Sequence, residues 1–168
     1  MRLMQRYVRT VDAVNHWIGR VVMYLIFVMM GSLLWSSISK TFFLPTLWTL
    51  EMAQFTMVAY YILGGPYSIQ LGSAVRMDLI YGELSERRKA WTDAFTVFFL
   101  IAYLVVLLWG GIDSTMNSFQ YGGERSPTAW RPYLWPIKTL MCIGIFLMLL
   151  QAVSELFKDV LKRRGVPA

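Results

Sequence analysis

Charged residues are missing from three long stretches of this chain: residues 21–39, 52–75 and 94–112 contain no Asp, Glu, Lys or Arg. Each stretch is long enough to cross a ~30 Å hydrocarbon layer, which takes a helix of about 20 apolar residues. A water-soluble helical bundle is excluded on the same ground, because its helices would each need a polar face. Residues 139–154 form a fourth, shorter run without charge. It extends to 135–157 if Lys138 and Glu155 reach the two headgroup layers with their long side chains. Cysteine and histidine are nearly absent, at one each. Cys142 therefore has no intrachain disulfide partner and reads as a small packing residue. His16 alone cannot form a two-histidine haem site, and no Cys/His cluster offers a metal site. A phosphate-binding glycine loop and a Ser/His/Asp set are missing too, so neither a cofactor nor enzymatic activity is expected. Nor is a cleavable signal peptide expected: the first apolar run is too long for one and lacks a small-residue cleavage site.

What is there predicts an all-α integral membrane bundle. Four transmembrane helices are expected at about 18–39, 52–75, 92–113 and 135–157, within one domain covering residues 1–168. Before them, Leu3, Met4, Tyr7, Val8, Val11, Val14 and Ile18 recur at three- and four-residue spacing, with Arg2, Arg6, Arg9 and Asp12 between. That pattern predicts an N-terminal amphipathic helix lying on the membrane surface. Lys and Arg are unevenly divided: Arg2, Arg6, Arg9, Arg20, Arg76, Arg87, Arg88, Lys89, Lys158, Lys162, Arg163 and Arg164 fall on one side, against Lys40, Arg125, Arg131 and Lys138 on the other. Basic residues are retained on the cytoplasmic side during insertion, which places both termini and the middle loop there. The net charge of +6 then reads as an orientation signal that also attracts anionic lipid, and no nucleic-acid partner is expected. Trp17, Trp35, Trp48, Trp91, Trp109, Trp130 and Trp135 all fall near predicted helix ends, where an indole anchors at headgroup level.

Three places carry candidate functional residues. Glu51 opens span 2, and Gly64, Gly65 and Pro66 interrupt it. Two readings compete there, a broken helix lining a substrate site and a kink at a tight helix-helix interface; the lack of an ionisable group near mid-span favours the kink. Arg76 and Asp78 end the same span, either as ordinary helix-end charges or as a charged contact with a second membrane protein. A long external loop is expected from Asp113 to Tyr133, containing Gly122, Gly123 and the polar turn Glu124, Arg125, Ser126, Pro127. Turn chemistry explains those residue types, and long ordered loops also carry function.

Several short motifs resemble one family. Trp48-Thr49-Leu50-Glu51, Leu63-Gly64, Gly72, Val75-Arg76-Met77-Asp78-Leu79-Ile80-Tyr81 and Glu124-Arg125-Ser126 are similar to the small membrane subunit, the DctQ-like small permease, of tripartite ATP-independent periplasmic (TRAP) transporters. The family often has a histidine where this chain has Ala74, so a role for that imidazole does not carry over. The resemblance implies a scaffold in the bacterial inner membrane, part of a sodium-gradient-driven importer of organic acids. Its implied partners are a large membrane subunit, a periplasmic substrate-binding protein and membrane lipids. It also marks Glu51, Gly64, Gly65, Arg76 and Asp78 as candidates for the subunit interface, and Glu124, Arg125 and Ser126 as a candidate docking loop. A small homodimeric proton-coupled exporter and the membrane anchor of a quinone-linked enzyme are the competing classes. The first needs a carboxylate deep in a span and the second needs haem ligands.

Overall fold

The computed structural model describes residues 2–71, 86–120 and 123–163. Among these the chain is helical, as α1 (Arg2–Val22), α2 (Leu25–Phe42), α3 (Thr49–Gln70), α4 (Glu86–Gln120) and α5 (Trp135–Arg163). Among the described residues three helical stretches are long and apolar enough to cross a membrane: Leu3–Phe42, Phe95–Gln120 and Trp135–Lys158. The α3 helix has the length, at 22 residues, but Glu51, Gln54, Gly64, Gly65 and Pro66 dilute its hydropathy and leave it outside that set. Large apolar side chains face outward throughout, with Phe98 66% and Trp109 77% exposed. A water-soluble monomer rarely exposes so much apolar surface, whereas lipid tails cover it without cost.

Helix boundaries follow local chemistry. A short turn at residues 23–24 separates α1 from α2, held by Tyr24 N–H donating to the Val21 carbonyl at 3.1 Å. The apolar helix α2 thus starts at Leu25. Toward the other end of α2, Ser32 Oγ donates to the Thr49 carbonyl at 3.2 Å. Since Ser32 lies ten residues before the end of α2, that helix runs on for about 15 Å past the start of α3, at 1.5 Å per residue. Residues 43–48 fold back along this extension, and Ser36 and Ser39 lie buried on it.

Helix occupies the first part of the segment expected as an external loop from Asp113 to Tyr133. The α4 helix continues through Asp113 to Gln120, because no proline or glycine interrupts it after Gly111 until Gly122. Beyond it, the Gly123 N–H donates to the Ser118 carbonyl at 3.2 Å, and Gly123 adopts φ +87°, a conformation that disfavours any side chain.

The packing core is built on α5. Leu104, Ile145 and Ala152 are buried at the α4–α5 contact, with Leu100, Ile101, Leu108, Met148 and Leu149 against them. Ser118 meets Lys138 and Thr115 meets Cys142, so α4 and α5 run antiparallel. The α3 and α5 helices advance together, Ile62 lying against Gly144 and Gly65 against Met148, and are therefore parallel. A methyl group on Gly144 would come within 2.2 Å of Ile62 Cγ2 and 3.1 Å of the Ile62 carbonyl oxygen. Where lipid removes the hydrophobic drive for helix association, such close backbone approach is what holds helices together.

Candidate functional sites at the ends of the bundle

Polar side chains collect at both ends of the bundle. At one end α1 crosses α3 and α5 with a mixed face, since Val8, Val11, Asn15 and Val22 are buried while Leu3 and Val14 are exposed. Its anchor is Gln151, which has 0% exposure. Gln151 Oε1 accepts from Asn15 Nδ2 at 2.7 Å, and Gln151 Nε2 donates to Asp12 Oδ1 and Glu155 Oε1, each at 2.9 Å. Ser154 Oγ also donates to Asp12 Oδ1, at 3.2 Å. Lys158 lies between Asp12, at 2.6 Å, and Glu155, at 2.8 Å. Gln70 Nε2 donates to the Asp12 carbonyl at 3.2 Å, which ties the end of α3 to the same cluster. A lone charge at this depth would carry a desolvation penalty, and here each acid faces a cation and further donors.

At the opposite end, residues 124–134 form a narrow hairpin. Ser126 N–H donates to the Pro132 carbonyl and Leu134 N–H to the Glu124 carbonyl, both at 2.9 Å, around an isolated antiparallel bridge between Arg125 and Tyr133. Glu124 turns back toward the helices: its carboxylate accepts from Lys138 and, at 2.8 Å, from Ser118 Oγ. Hydrogen bonding from Lys138, helped by the Ser118 bond and by the lysine's charge, holds the Glu124 carboxyl below the usual glutamate range. Arg125 stacks 4.4 Å above the Tyr133 ring, and Ser126 Oγ meets Thr128 Oγ1 at 3.1 Å. Arg131 takes φ +51°, a strained value for a residue with a side chain. Of the three expected docking residues, Glu124 thus fastens the base of the hairpin, and Arg125 is held along its side.

Glu51 occupies the first turn of α3, where the helix N-terminus favours a negative charge. It is only 5% exposed, and among the described residues neither carboxylate oxygen has a hydrogen-bond partner. Its neighbour in the same turn, Thr49, is fully buried and bonds Thr46 Oγ1 at 3.0 Å. The sequence placed Glu51 at a helix entrance. The structure agrees, but that entrance lies beside the middle of α2 rather than its end. The two glycines of α3 diverge: Gly65 is covered by Met148, while nothing lies within 4 Å of a methyl group placed on Gly64. Arg76 and Asp78 lie outside the described residues.

Among the described residues no group of His, Cys, Asp and Glu is arranged to hold a metal ion. The polar side chains at the two ends of the bundle fasten helices and a loop. Residues 29–162 match the family model described as Tripartite ATP-independent periplasmic transporters, DctQ component. The chain belongs to this family. It is therefore a component of a TRAP transporter and a multi-pass membrane protein, and the family is one of transporter components rather than enzymes. No curated protein and no solved structure matches the chain. Within this DctQ chain, the residues that sequence reasoning missed are Asp12, Asn15 and Gln151. Their one signal was spacing: Gln151, Ser154, Glu155 and Lys158 recur on one face of a helix.

Proposed function

We propose that this DctQ chain is the small scaffold subunit of a TRAP transporter. It pairs with the large transport subunit of a sodium-gradient-driven importer that receives organic acids from a periplasmic substrate-binding protein. The match to the DctQ component family over residues 29–162 carries this reading. In it α3 is the fourth membrane span, shielded by neighbouring helices in the assembled complex, and both termini lie in the cytoplasm of a cell with an inner membrane. The uneven division of Lys and Arg supports that orientation, as does the shared end of α1 and α5. Gly64, with open space around it, and the charges Arg76 and Asp78 are proposed contacts with the large subunit. Gly65 supports that interface indirectly, through the α3–α5 contact. The hairpin around Glu124, Arg125 and Ser126 faces the periplasm and is the proposed docking element for the binding protein.

A scaffold role fits the way polar side chains fasten the ends of the bundle. Buried Glu51 is the one observation that favours a direct part in transport instead, since ionisable groups inside spans often mark ion paths. Sodium-to-substrate stoichiometry in reconstituted vesicles, normalised to intact complex, separates the two. Under the scaffold reading Glu51→Gln changes the amount of complex and leaves the stoichiometry at its wild-type value. A changed stoichiometry would give the chain a direct transport role and overturn this reading.

A further inference from the structure

Asp113 was expected at the start of a loop, yet it lies inside α4, directly after the charge-free apolar run of residues 95–112. Seven residues of helix follow it, which puts it about 10 Å below the end of α4. Its side chain is exposed, and no hydrogen bond or ion pair from the described residues reaches it. The opposite side of α4, through Leu104, Gly111, Thr115 and Ser118, is already covered by α5 and the hairpin base.

Two surfaces meet at Asp113. On one side Gly110, Ser114 and Asn117 share its exposed face at three- and four-residue spacing, and a methyl group on Gly110 would meet nothing within 4 Å. On the other, Trp109, Ile112 and Met116 border a concave apolar surface that includes Asp113 in its lining. Small residues that admit a second backbone, beside polar groups that bond across helices, are what association inside a bilayer uses. An unpaired carboxylate at the edge of an apolar helical run, exposed beside large apolar side chains, is unfavourable there and is relieved by an opposite charge.

We propose that this face of α4 seats a helix of the large membrane subunit bearing a Lys or Arg side chain opposite Asp113. The proposal rests on the scaffold reading above and names the surface and charge through which the pairing occurs. Gly110 lets the incoming helix approach, the Trp109–Met116 side receives its apolar residues, and Asp113 fixes the axial register through charge pairing.

The test co-expresses tagged chain with the large subunit and measures recovered large subunit per inserted chain. Asp113→Lys is expected to lower that ratio by at least about tenfold, because it sets like charges against each other, and Asp113→Asn by less. Gly110→Trp, which blocks approach without changing charge, is expected to act like Asp113→Lys. Asp113→Cys should cross-link to the large subunit through a bifunctional thiol reagent, and a Lys/Arg→Glu change at the linked position should restore recovery with Asp113→Lys. If Asp113→Lys and Gly110→Trp chains insert normally and recover wild-type amounts of large subunit, this face meets lipid headgroups or water and the proposal is overturned. Wild-type chain that recovers no large subunit would instead overturn the scaffold reading, and this proposal with it.

Discussion

Gln151 donates or accepts toward Asn15, Asp12 and Glu155 while having no exposed surface. Replacing it with leucine keeps approximate volume but strands the Asn15 amide and removes a donor from Asp12. Leaving buried polar groups unpaired costs about 1–3 kcal/mol. Gln151→Leu is therefore expected to loosen α1 before the rest of the bundle, seen as faster hydrogen exchange over residues 5–20 with little change in α4. Uniform exchange across all helices would count against a local clasp. This role was not legible in the sequence. Helical spacing shows which residues of α5 share a face, but the partners Asp12 and Asn15 lie 139 and 136 residues away, and nothing local says which helix will cover that face. Glu124 shows the same limit: the family resemblance made it a candidate docking residue, and nothing local showed that Ser118 and Lys138 would hold its carboxylate against the helices.

Helices as elements were more readable, because the absence of charge and the placement of glycine and proline act locally. The α3 helix starts at Thr49, ahead of the charge-free run that opens at Met52, and α5 starts at Trp135, just before Pro136. The overrun of α4 has an equally local cause, since a polar stretch without a helix breaker can remain helical while ceasing to be apolar. Pairing of elements was not readable, because hydropathy gives a span's length and not its neighbours. Glycine illustrates this. Gly144 and Gly64 looked alike in sequence, yet Gly144 faces the Ile62 backbone at the α3–α5 contact and Gly64 faces open space. Gly144→Leu is expected to push α3 from α5 and lower the melting temperature of the purified chain in detergent, the overpacking cost being about 1–3 kcal/mol or more. Gly64→Leu should leave that temperature nearly unchanged. Equal loss from both substitutions would show that helix propensity or insertion, rather than the α3–α5 approach, controls stability.

At the scale of the whole molecule, composition decides the environment and the basic residues suggest the orientation, while the surface leaves work for a partner. Apolar side chains cover the outside, α3 is too polar to pass as a lipid-facing span by hydropathy, and exposed Asp113 lacks a counter-charge among the described residues. An unsatisfied exterior of this kind is physically sensible for a subunit whose folded state is completed by association. The most direct measurement is the composition of the complex purified through this chain from its native membrane, in mild detergent. A stable complex containing a large transporter subunit in fixed ratio is the predicted result; the chain emerging alone or only as a homodimer, from membranes that contain the large subunit, would contradict the account.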